Sequence, residues 1–80
     1  MKRFTYLNDG FLVNVTWNSD RSTLRFQSGP TDAPDEMVSE FQGLSTWGAN
    51  RVLKWMFAEM IGIKEQLPDA LVDLGLYVEL

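Results

Sequence analysis

Apolar residues recur at every second position from Phe11 to Trp17. Phe11, Val13, Val15 and Trp17 fall on one parity, with Leu12, Asn14 and Thr16 on the other. A period of two sends successive side chains to opposite faces, so residues 11–17 predict a strand with one apolar face. Residues 3–7 and 23–27 read as strands on either side of it, the latter with Leu24 and Phe26 inward and Arg25 outward. Asn8-Asp9-Gly10 separates the first two runs, and Asp-Gly between apolar runs is a strong short-range hairpin signal. The polar stretch 18–22 joins the second strand to the third. These residues predict a three-stranded antiparallel meander.

Beyond Ser28-Gly29-Pro30 the period changes. Asp32, Pro34, Asp35 and Glu36 suit the first turn of a helix, where Pro is tolerated and carboxylates complement the dipole. Met37, Val38 and Phe41 supply an apolar stripe, and Gly43 a stop. Ser45 or Thr46 caps a second, longer helix running to about residue 61. Leu53, Met56, Phe57, Met60 and Ile61 form its apolar face, with Arg51, Lys54 and Ala58 opposite and Trp47 on that same polar row. Gly62 is the expected stop. Residues 63–67 read as a turn or a short helix, and residues 68–74 as a short helix begun by Pro68 and closed by Gly75. Leu76, Val78 and Leu80 alternate as a last strand, the alternative being a loosely structured tail over 63–80. Strands followed by helices predict one α+β domain over residues 1–80: a three- or four-stranded antiparallel sheet with two main helices packed on one face.

Composition then removes whole classes of chemistry. The 80 residues contain no Cys and no His. Disulfides, thiolate metal sites and Ser–His or Cys–His nucleophilic pairs are thereby excluded, along with the commonest general base and zinc ligand. No apolar run approaches the ~18 residues of a membrane span, and residues 4–10 hold Thr5, Asn8 and Asp9 where a signal peptide needs an apolar core. The expectation is a cytoplasmic protein. Asn14-Val15-Thr16 matches the glycosylation acceptor pattern but sits inside a predicted strand. Carboxylates remain as candidate acids, yet Asp35/Glu36 and Asp69/Asp73 occupy exposed helix starts or turns with no apolar pocket to tune them. Asp69 and Asp73 stand at i, i+4, and two carboxylates alone make a weak site for a hard cation. No cofactor, no metal and no catalysis are expected.

Charge is distributed in blocks. Residues 1–30 carry Lys2, Arg3, Arg21 and Arg25 against Asp9 and Asp20, a net +2. Residues 31–50 carry Asp32, Asp35, Glu36 and Glu40 with no basic residue, a net −4. Residues 51–64 return to +2, and Glu65, Asp69, Asp73 and Glu79 give −4 over residues 65–80. The acidic blocks either complement helix dipoles and water, or form a negative surface that steers the chain onto a basic partner. On the second reading the partner-binding residues are Asp32, Asp35, Glu36, Glu40, Glu65, Asp69 and Asp73. Trp47 joins them as the tryptophan on the polar side of its helix, tryptophan being enriched in interface hot spots. Trp17 belongs to the apolar strand face and Trp55 to the edge of the helical one. Met37, Met56 and Met60 with Phe57 read as core filler, as an adaptable groove or as a homodimer seam. Arg3, Arg21 and Arg25 lie on or beside the predicted sheet, but its aromatics fall mostly on the core face, so no direct nucleic-acid contact is expected.

In general character the chain resembles small phage and mobile-element inhibitors of the anti-CRISPR type. The resemblance lies in its size, its acidity, its lack of cysteine, its α+β pattern and the charge blocks 32–40 and 65–79, without a shared motif. It implies a non-enzymatic, stoichiometric binder, monomeric or homodimeric, in the host cytoplasm. Such a binder blocks a basic, nucleic-acid-binding surface of a host defence complex, a CRISPR effector being the case the resemblance suggests. The alternative is a small homo-oligomeric structural or assembly component of a phage particle.

Overall fold

The computed structural model describes residues 1–60 and 62–78. Four strands, β1 (Lys2–Asn8), β2 (Phe11–Asn18), β3 (Thr23–Pro30) and β4 (Met37–Phe41), form one antiparallel sheet in chain order. Helix α1 (Thr46–Ala58) follows, then a 3-10 turn at Lys64–Gln66 and the short helix α2 (Leu67–Asp73). The α+β class holds, with a four-stranded sheet and two helices.

The meander forms as the alternation requires. Asn8 pairs with Phe11 across a two-residue turn in which Asp9 and Gly10 both have positive φ, 51° and 75°. That is the primed hairpin geometry whose twist matches the strands. At the opposite end of β2 the Asn18 side-chain oxygen accepts from the Asp20 and Arg21 amides, closing the polar turn into β3. Register then places Phe4, Val15, Phe26 and Ser39 in one row on the inner face, with Trp17, Leu24 and Phe41 beside them. Arg3, Thr16, Arg25 and Glu40 form the corresponding row on the open face.

Helix α1 begins where expected. Ser45 is the N-cap, its Oγ accepting from the Gly48 amide at 3.0 Å. The helix lays Ala49, Leu53 and Phe57 against the sheet. Phe57 sits between Phe4 and Phe26 with both ring centroids 6.1 Å away, tilted on one and edge-on to the other. Ala70, Leu71 and Leu74 extend this core from α2, which lies beside β1.

Two expectations are corrected. The segment read as a first helix over residues 31–42 is a turn at 31–36 followed by β4. Between Pro34 and Gly43 the chain has room for barely two helical turns, and a helix that short leaves most of its backbone groups unpaired. As a strand the same residues pair with the free edge of β3 from Leu24↔Phe41 to Ser28↔Met37. The two main helices are therefore α1 and α2, and the fourth strand comes from the middle of the chain.

The predicted last strand is not formed over residues 76–78; Glu79 and Leu80 lie outside the described residues. Here α2 ends in a Schellman motif instead. Gly75, with φ at 68°, donates its amide to Val72 O, and the Leu76 amide donates to Leu71 O at 2.8 Å. Leu71 and Leu76 are both buried, the apolar contact that accompanies this motif. The Leu76 carbonyl accepts from Asn50 Nδ2 at 2.6 Å, which ties the segment to α1. No helix among the described residues is long and apolar enough to cross a membrane.

Candidate functional site

The inner face of β4 is where the helical layer stops. Phe57 seats α1 over β1 and β3, and on the β4 side the helix and the sheet diverge. The gap is a groove of about 350 Å³. Met37, Ser39 and Phe41 form its strand wall, Phe26 lines it from β3, and Trp55, Met56, Glu59 and Met60 form its helix wall. Trp55 is 62% exposed and Met37 57%, large apolar side chains without cover on either lip. The lining side chains are apolar apart from Ser39, Glu59 and the indole N–H of Trp55, a surface suited to apolar side chains.

The groove opens beside a strongly acidic end of the sheet. The turn at 31–36 is anchored to the β1–β2 hairpin by Thr31 N donating to Gly10 O at 2.9 Å. It folds tightly, Ala33 N donating to Pro30 O and Glu36 N to Ala33 O. Asp32, Asp35 and Glu36 from this turn and Asp9 from the hairpin are all exposed at one end of the strands, and neither loop contains a Lys or Arg. Among the described residues no three of these carboxylates converge as a metal site would require. They make a field over an area rather than a ligand set.

The opposite end has the reverse sign. Lys2 and Arg3 at the start of β1, Arg25 near the start of β3 and Arg21 in the turn between β2 and β3 gather there, against Asp20 and Glu40. Arg25 and Glu40 face each other across β3 and β4 and form an ion pair at 3.3 Å. Both side chains are substantially exposed, so the pair is worth little in stability. It does hold the Glu40 carboxylate on the open face.

The partner-binding residues expected from sequence are thus separated. Asp32, Asp35 and Glu36 lie together at the acidic end. Glu40 belongs to the open face with Arg25. Trp47 is 42% exposed on the first turn of α1, and does not line the groove. Glu65, Asp69 and Asp73 are exposed on the 3-10 turn and α2, on the β1 side of the molecule away from β4.

Trp55, expected at the edge of the helix's apolar face, stands on the rim of the groove beside Met56 and is largely exposed. At 100° per residue it lies 160° from both Leu53 and Phe57, the buried row. That angle was available in the sequence and marks Trp55 as outward. Met37, Met56 and Met60, which the sequence groups as core filler, groove or dimer seam, do line this groove, while Phe57 is buried beneath it. What was not legible is that its wall is a strand, because that segment reads as a helix. Comparison with known proteins found no matching family model, no similar curated protein and no similar solved structure.

Proposed function

We propose that this chain is a non-catalytic binding domain that docks a basic protein partner through the α1–β4 groove and the acidic turn beside it. One observation carries the reading: an apolar groove with an exposed tryptophan opens next to Asp32, Asp35 and Glu36. Exposed large apolar side chains rimmed by charge are the usual anatomy of a protein interface, the tryptophan acting as anchor and the carboxylates as steering groups. The inner-face position of Phe4, Trp17, Phe26 and Phe41 leaves the open face of the sheet without those rings for stacking on bases. That favours a protein over a single-stranded nucleic acid as partner. The specific form suggested by the sequence is a cytoplasmic inhibitor of the anti-CRISPR type that occupies a basic, nucleic-acid-binding surface of a host complex. It fits within this reading, since a partner of that kind presents the complementary charge.

The test uses the purified chain and a partner recovered from the natural host. The wild type is compared with Trp55→Ala, with the pair Asp35→Lys and Glu36→Lys, and with Val72→Ala on the far side. Trp55→Ala is expected to weaken the complex at least about tenfold. The charge reversals are expected to slow association and to flatten its salt dependence. Val72→Ala is expected to leave binding unchanged. Equal binding by all four proteins contradicts the reading.

A second reading has one observation in its favour. Met37, Met56 and Met60 line a groove open to a second copy, as a small homo-oligomeric component of a phage particle requires. A light-scattering mass above that of the monomer, reduced by Trp55→Ala, supports it; a monomer at high concentration contradicts it.

A further inference from the structure

We propose that the free edge of β4 takes up an extended segment of the partner as a fifth strand, and that this segment alternates apolar and basic residues. The inference rests on the binding reading above and specifies its mode. β4 pairs with β3 on one side and, among the described residues, has no strand on the other. Its outer amides and carbonyls form a row of hydrogen-bonding groups that a second extended chain can satisfy.

The two edges of the sheet differ in a way that points to β4. β1 carries Lys2 and Arg3 on its edge and has α2 packed beside it, with Gly75 close against the Lys2 side chain. Charge and cover are the ordinary means of blunting an edge. β4 has neither. Met37 and Val38 are exposed, and its one charge, Glu40, is engaged by Arg25.

The groove runs along this same edge. A strand laid on β4 sends alternate side chains into it, beside Met37, Phe41 and Trp55, and the others to the open face beside Val38 and Glu40. Glu36 stands where β4 begins and Glu59 on the helix wall, and none of the residues lining the groove is basic. The incoming chain is therefore selected for Lys or Arg next to its apolar positions. A second copy brings the same carboxylates to both sides, a like-charge arrangement that disfavours self-pairing.

The experiment titrates a short peptide alternating lysine and valine into the isotope-labelled chain and follows the backbone amides by NMR. Two control peptides are used: the same sequence N-methylated at every residue, and a glutamate–valine counterpart. The proposal expects saturable shifts in the amides of residues 37–41 with the lysine peptide. Binding of both controls is expected to be weaker by at least about tenfold, since several main-chain bonds are lost in one and the charge is reversed in the other. Equal binding by the N-methylated peptide, abolished by Trp55→Ala, overturns strand addition while leaving the groove as a docking surface. Shifts confined to other strands, or no binding by any peptide, overturn the proposal. So does a chain already paired through β4 with a second copy.

Discussion

Gly29 shows how a single absent side chain fixes the path of the acidic turn. Its backbone is not in the left-handed region, so conformational freedom is not the reason for glycine here. A Cβ at this position meets the Ala33 carbonyl oxygen directly and lies 3.1 Å from the Glu36 Cβ. The turn carrying Asp32, Asp35 and Glu36 folds back onto the end of β3, and only a hydrogen fits beneath it. Gly29→Ala is expected to lower stability by about 1–3 kcal/mol in urea unfolding, the usual effect of overpacking a tight contact. Asn50 makes the comparable point inside the core. Its amide holds the Leu76 carbonyl, and its Oδ1 is buried without a partner among the described residues. Asn50→Ala is expected to cost about 1–2 kcal/mol by the same assay, because the buried carbonyl loses its donor. Neither residue announces itself in sequence. Gly29 reads as loop punctuation because the turn that crowds it is set only by the fold, and Asn50 carries no local signal because its partner lies 26 residues away. Trp55 was legible, since its angle to Leu53 and Phe57 depends on helix geometry alone.

At the scale of elements, sequence pattern was reliable where local signals and long-range pairing agree. The Asp9-Gly10 turn, the alternation of β2 and the Ser45 cap each specify their structure within a few residues. Residues 37–41 are the counterexample. Met37, Val38 and Phe41 satisfy a helical spacing, while Met37, Ser39 and Phe41 satisfy a period of two. The unpaired edge of β3 decides between them. Residues 76–78 failed for a related reason. Alternating Leu76 and Val78 suggests a strand, but the Leu76 amide is taken by the α2 terminus and its carbonyl by Asn50, so its main chain is satisfied without a sheet partner. The strand assignment of β4 has a direct signature in amide hydrogen exchange of the free chain. Amides pointing toward β3 are expected to be protected and their neighbours to exchange rapidly, so protection alternates through residues 37–41. Continuous protection through this segment contradicts an edge strand.

At the scale of the whole molecule, the fold converts blocks of charge along the chain into opposite ends of the sheet. Asp9 joins Asp32, Asp35 and Glu36 at one end only because the β1–β2 hairpin and the 31–36 turn are neighbours. Lys2, Arg3, Arg21 and Arg25 collect at the other because β1 starts where β2 ends. The sequence shows the blocks but not this assembly, which depends on strand order. The second acidic block belongs to other elements: Asp69 and Asp73 lie on α2, beside β1, and Glu65 on the 3-10 turn before it. The binding account places the interface at the groove and acidic end together, and excludes the α2 side. Its central claim is tested most directly by site-specific photocrosslinking in the natural host, with a benzoylphenylalanine introduced at position 55 in one protein and at position 72 in another. Both positions are more than half exposed, so neither change disturbs the core. The account predicts one discrete heterologous adduct from position 55, a basic protein, and none from position 72. Adducts from position 72 alone, or only a self-adduct from position 55, contradict it.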